Sequence, residues 1–148
     1  MKLLNGVPTS ARRALLALSV MGLLLLAPTA TTARGAEPKP ATVRLIVDYG
    51  DGVQTHFTAL PWHEGMTVLD ALTAAGKHAR GIKFSKRGSG GAAMITQISD
   101  AKNEGGSLDS KNWLYYVNDE QGKVSAGKHA LRAGDTALWR FQVYDYNP

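Results

Sequence analysis

The stretch NWLYYVNDEQGKVSAGKHALRAGDTALWRF, residues 112–141, holds two of the three tryptophans and two adjacent tyrosines. In a strand, successive side chains point to opposite faces. Trp113, Tyr115 and Val117 then share one face, and Leu114, Tyr116 and Asn118 share the other. A turn at Gly134 and Asp135 leads into a last strand over 136–143, where Trp139, Phe141 and Val143 oppose Leu138, Arg140 and Gln142. Both strands offer aromatic side chains to both faces, but a covering layer can take only one of them. Large apolar rings fill cores before they serve as surfaces. Trp113 and Trp139 are therefore assigned to the core, and the face with Tyr116 and Asn118 is left as the candidate contact surface.

Upstream, Val43, Leu45 and Val47 alternate with Arg44, Ile46 and Asp48, the period of a half-buried strand. Residues 49–52, YGDG, form a turn cluster. Val53, Thr55, Phe57 and Ala59 then alternate again, so the two runs predict a hairpin. Thr67 is placed to cap a short helix, with Asp70 three residues on to return a bond. Val68, Leu72 and Ala75 share one face of it with Leu69 alongside, and Gly76 ends it. Residues 85–91, SKRGSGG, read as a flexible basic loop, 93–98 as a strand, and 124–126 as a short edge strand. The order of hairpin, helix and further strands predicts an α+β domain: one β-grasp-like mixed sheet with one short covering helix.

The N-terminus has a different character. Lys2, Arg12 and Arg13 precede an apolar run over 14–27 and a small-residue stretch, which is the pattern of a cleavable signal peptide over residues 1–36. The run is shorter than the roughly 20 residues of a permanent membrane span. Arg12-Arg13 followed by Ala14 and Leu15-Leu16 partly matches a twin-arginine signal, but an ordinary secretion signal with two basic residues is the favoured reading and the twin-arginine route the alternative. Either route predicts export, with periplasm, cell surface and extracellular medium all open as destinations. A Pro-rich lead-in over 37–41 follows, and the domain proper spans 42–148.

Four of the 17 Lys and Arg lie within residues 1–36, leaving 13 against 12 Asp and Glu in the remainder. The basic balance thus belongs to the targeting segment and gives no footprint for nucleic acid. With no cysteine, an exported domain must be held by burial alone, and about 112 residues suffice for an independent core.

Candidate chemistry is sparse. His56, His63, His78 and His129 show no metal-ligand spacing, so no metal site is predicted. Gly88-Ser89-Gly90-Gly91 is neither a nucleophile elbow nor a phosphate loop. Asp48, Asp51, Asp119, Glu120 and Asp135 sit at turns, where aspartate is structurally favoured. No catalytic set emerges, and the expectation is a non-enzymatic protein. Trp62 and His63, just before the helix, add a wall beside Tyr116 and Asn118 as tentative ligand contacts.

The hairpin, TVLDAL at 67–72, NWLYYVN at 112–118 and LRAGDTALWRF at 131–141 together resemble the bacterial exported relatives of the C-terminal β-grasp domain of transcobalamin and intrinsic factor. The resemblance covers about residues 42–143. It marks Thr67, Leu69, Leu72, Trp113, Tyr115, Gly134, Asp135 and Trp139 as family motif positions of structural character. It implies a ligand-binding module, with cobalamin or another corrinoid as the named ligand. Two classes of partner follow for the sequence as a whole: a small molecule on the open sheet face, or another exported protein docked on that face or on a sheet edge.

Overall fold

The computed structural model describes residues 39–145, and the predicted signal segment lies outside them. The first hairpin forms as its alternation requires. β1 (Thr42–Asp48) pairs antiparallel with β2 (Gln54–Pro61), and Val43, Leu45 and Val47 are fully buried. Its turn needs glycine at Gly50, which has a positive φ and lies against the Phe141 carbonyl, where a side chain would collide. One expectation fails here. Val43 faces Leu60 while Leu45 faces Phe57, so β2 spends an extra residue in a β-bulge. The bulge turns Leu60 into the core and leaves Ala59 exposed.

α1 (Val68–Gly76) buries Val68, Leu69, Ala71, Leu72 and Ala75. A helix start leaves its first N–H groups without intrahelical partners. Here Val68 N–H donates to His129 O and Leu69 N–H to Ala126 O, each at 3.0 Å. Asp70 N–H donates to Thr67 Oγ1 at 3.2 Å, and Thr67 N–H to Asp70 Oδ2 at 2.9 Å. The predicted capping box is present, and the segment after residue 123 supplies the rest.

That engagement explains a second failure. Residues 124–126 form no strand, because Ala126 turns its carbonyl to the helix. The strand beside β6 (Lys111–Val117) is instead β7 (Glu120–Gln121). Asn118 and Asp119, both with positive φ, make the tight turn between them. β8 (Thr136–Val143) runs antiparallel to β6 and parallel to β1. The five-stranded order is β2-β1-β8-β6-β7.

A second sheet was not anticipated. β3 (Phe84–Arg87), β4 (Met94–Ile98) and β5 (Ala101–Lys102) form three antiparallel strands in that order. Ser85, Lys86 and Arg87, read as part of a loop, lie in β3. The connection is reduced to a tight turn closed by a short 3-10 segment, Gly90–Ala92. Among the described residues the fold is thus α+β with one short α-helix, built on two sheets rather than one. One buried cluster joins Leu45 and Val47 with Leu72, Ile98, Trp113, Tyr115 and Trp139. Among the described residues no helix is long and apolar enough to cross a membrane.

Candidate functional site

Between the two sheets lies a cleft of about 620 Å³. β4 contributes Met94, Ile95 and Thr96, β6 contributes Asn112 to Tyr115, and the segment 121–126 and Trp139 complete the walls. The aromatic face of β6 therefore has two tasks, packing the core and lining a recess.

Asn103 holds one end of the cleft. Its Nδ2 donates to Ile95 O at 2.9 Å, its Oδ1 accepts Trp113 N–H at 2.9 Å, and its own N–H donates to Thr96 O at 2.9 Å. A single side chain thus satisfies peptide groups of both sheets. Trp113 Nε1 donates to Ala101 O at 2.8 Å, which fixes that ring. At the other end Ser125 Oγ donates to Ala93 O at 3.0 Å. Tyr115 OH donates to Val124 O at 2.5 Å and lies 3.3 Å from His129 Nδ1. The Tyr115 ring sits 5.5 Å from Trp139 and edge-on to His129. Gly122 lies so close to the Tyr115 ring that any side chain there would overlap it. Burial raises the Tyr115 phenol above its ordinary pKa, so it is a protonated donor at neutral pH.

The mouth is apolar. Met94, Val124 and Tyr144, which are 55%, 52% and 43% exposed, all line the cleft. Large exposed apolar side chains grouped at a recess mark a contact surface more than scattered ones do. Deep in the wall, Trp139 is 3% exposed and its Nε1 has no hydrogen-bond partner among the described residues. The lining contains neither carboxylate nor histidine.

The four tentative contact residues are placed elsewhere. Trp62 packs on the core side, its Nε1 donating to Leu131 O at 2.8 Å. His63 is exposed, with Nδ1 3.0 Å from Glu64 O. Tyr116 lies on the opposite, open face, where Gln142 Nε2 donates to its OH at 2.9 Å and Arg140 sits 5.9 Å above its ring. Asn118 is tied to Asp135 and Thr136. None of the four lines the cleft. Of the motif residues, Thr67 caps α1, Leu69 and Leu72 are buried, and Trp113, Tyr115 and Trp139 form the aromatic layer. Gly134 takes a positive φ and Asp135 accepts Arg132 N–H. What the sequence reading missed is the far wall. Val124 is an apolar residue set between Lys123 and Ser125, and that isolation was the available signal; Met94 lies within an apolar run, Ala92 to Ile95, and gave none.

The family described as domain of unknown function DUF4430 matches residues 65–143, 79 of the 148 positions. The chain belongs to this family. The match begins just before α1 and runs through β8, so the DUF4430 region contains both sheets' cleft-lining strands but not the first hairpin. No curated protein matches the chain. Among solved structures it is similar to that of a proposed metal-binding protein from Ruminococcus gnavus, at 13% identity and a TM-score of 0.55. The alignment covers 71% of this chain and 99% of that one, and at this identity the likeness concerns the fold alone. Among the described residues of the DUF4430 chain, no group of three or more His, Asp or Glu side chains could hold a metal ion.

Proposed function

We propose that the chain is an exported, non-enzymatic module that binds a small, largely apolar ligand in the cleft between its two sheets. The observation that carries this reading is the cleft itself: about 620 Å³, backed by Trp113, Tyr115 and Trp139 and rimmed by Met94, Val124 and Tyr144. Small-molecule sites are mostly apolar recesses of roughly 300–1,000 Å³ with a few polar groups that set orientation. Asn103, Asn112 and Gln121 are such groups here. Among the lining residues only Lys102, Tyr115 and Tyr144 can titrate, which suits binding rather than proton transfer. Export is supported by the basic and apolar pattern of residues 1–36. Cobalamin or a related corrinoid, the ligand that the family resemblance implies, is larger and more polar than this recess and would have to bind across its mouth rather than inside it.

Equilibrium dialysis with cobalamin, run beside a planar aromatic probe such as 2-acetylnaphthalene, tests it. The expected result is saturable one-to-one binding of at least one of them, lost in Val124→Arg. Because Val124 is exposed, that change fills the mouth without disturbing the core. Binding of the naphthalene alone would keep the cleft and remove the corrinoid. If neither compound saturates the protein, the small-ligand reading fails.

A further inference from the structure

β2 ends the five-stranded sheet, so one of its edges meets no strand. In an antiparallel pair, alternate residues turn their peptide groups towards the partner and away from it. Tyr49 N–H donates to Val53 O, and in the same register Val47 faces Thr55 and Leu45 faces Phe57. The intervening Gln54 and His56 therefore turn their N–H and C=O groups outward.

A groove of about 430 Å³ follows this edge, lined by Thr55 to Leu60 on one side and by His78 and Arg80 on the other. Six strand residues extend about 17 Å, which is the shape of an extended chain and not of a compact molecule. Arg80 is the charged residue in its lining; His56 and His78 stand beside it, and no carboxylate does. Between residues 71 and 99 the chain carries Lys77, Arg80, Lys83, Lys86 and Arg87 and no Asp or Glu. Among the described residues the ion pair is Arg140 with Asp48, so no described carboxylate forms an ion pair with the Arg80 guanidinium.

The cationic wall is also held in place. Arg80 N–H donates to His78 Nδ1 at 3.3 Å, and the His78 ring packs edge-on to Phe57 at 5.6 Å. Gly81 presses against the carbonyl oxygens of Ala75, Gly76 and His78, where a Cβ would not fit. On the other side of the edge, His56 Nε2 meets Gln54 Oε1 at 3.1 Å, while Gln54 Nε2 donates to Asp48.

We infer that this edge docks an extended acidic segment of a second exported protein, which adds a strand to β2 and sets its carboxylates against the Arg80 guanidinium, with the neutral His78 ring beside it. A second copy of the chain is a poor occupant. Pairing two β2 edges would bring the two Arg80 guanidinium groups towards each other. The inference is independent of the cleft.

Fluorescence anisotropy with a labelled, alternating Glu-Val peptide tests it on the full chain. The peptide should bind saturably and weaken as salt rises. Arg80→Glu should lower affinity by about tenfold or more, while Lys123→Glu, beyond the opposite edge, should change it less than about twofold. The same peptide N-methylated at alternate residues should lose binding, because strand addition requires its N–H groups. Equal binding of the methylated peptide or of a Lys-Val counterpart, an undiminished affinity in Arg80→Glu, or no saturable binding at all would each overturn the proposal.

Discussion

Asn118 and Asp135 hold two turns together. Asn118 Nδ2 donates to Asp135 Oδ1 at 2.9 Å, and Asn118 Oδ1 accepts Thr136 N–H at 3.0 Å. Asp135 Oδ2 accepts Arg132 N–H at 2.7 Å. The turn after β6 is thereby locked to the turn before β8, and the two central strands keep their register. Asn118 also has φ of 49°, a conformation that asparagine tolerates better than alanine. Asn118→Ala should cost about 1–2 kcal/mol in urea denaturation, from lost hydrogen bonds and backbone strain together. Asn118→Gly should recover the strain but not the bonds. Binding in the cleft should be unchanged in both. Weakened binding at unaltered stability would instead return Asn118 to a contact surface.

Trp139 and Tyr116 lie on opposite faces of the sheet and should respond differently to truncation. Trp139 is almost fully buried, so Trp139→Ala should cost about 3–5 kcal/mol. Tyr116 is half-buried on the open face, and Tyr116→Ala should cost under about 1 kcal/mol. Chemical denaturation of the two variants decides the matter. The reverse order would mean that the faces have been assigned the wrong way round.

The contact of Gly122 with the Tyr115 ring gives a test of the cleft wall. Gly122→Ala should displace that ring from Val124 O, cost about 1–3 kcal/mol as an overpacked site, and weaken probe binding. Tyr115 itself has a raised pKa because it is buried. Its contribution to stability is then complete below about pH 10, where an unfolded tyrosine keeps its proton. It is lost as pH rises from there through the folded value. In Tyr115→Phe this alkaline component of a pH–stability curve should vanish; an unchanged slope would show that the phenol is not protected.

Asp48 behaves in the opposite sense. Burial by itself raises its pKa, but bonds from Gly50 N–H, Gln54 Nε2 and the Arg140 guanidinium outweigh that and leave the carboxyl below its ordinary value. A depressed carboxylate stabilises the fold above about pH 4 and loses that effect as pH falls through the lower folded pKa. Thermal melts across the acid range should show a slope that Asp48→Asn removes and Arg140→Ala reduces. Wild-type and Asp48→Asn curves that ran parallel would rule the effect out.

Much of the fold was legible from local signals. The alternation of Val43, Leu45 and Val47, the Thr67–Asp70 cap and the split faces of residues 113–118 each depend on neighbours within a few positions, so period and propensity were enough. Asn118 marks where such local signals stop. Its place on the open face follows from strand period, but its partner Asp135 is seventeen residues away, and no periodicity reports that bond.

By itself, then, the sequence determined the α+β class, the first hairpin, the capped helix and the aromatic layer, because these follow from side-chain period and the chemistry of turns. Tertiary structure decided the rest. It set the bulge that buries Leu60, the second sheet, the irregular course of residues 124–126 and the position of the cleft. Each of these turns on which distant group satisfies a peptide N–H or carbonyl: Ala126 O meets the helix start, and Asn103 meets both sheets. Such choices are settled by competition among long-range partners, which exists only once the chain has closed on itself.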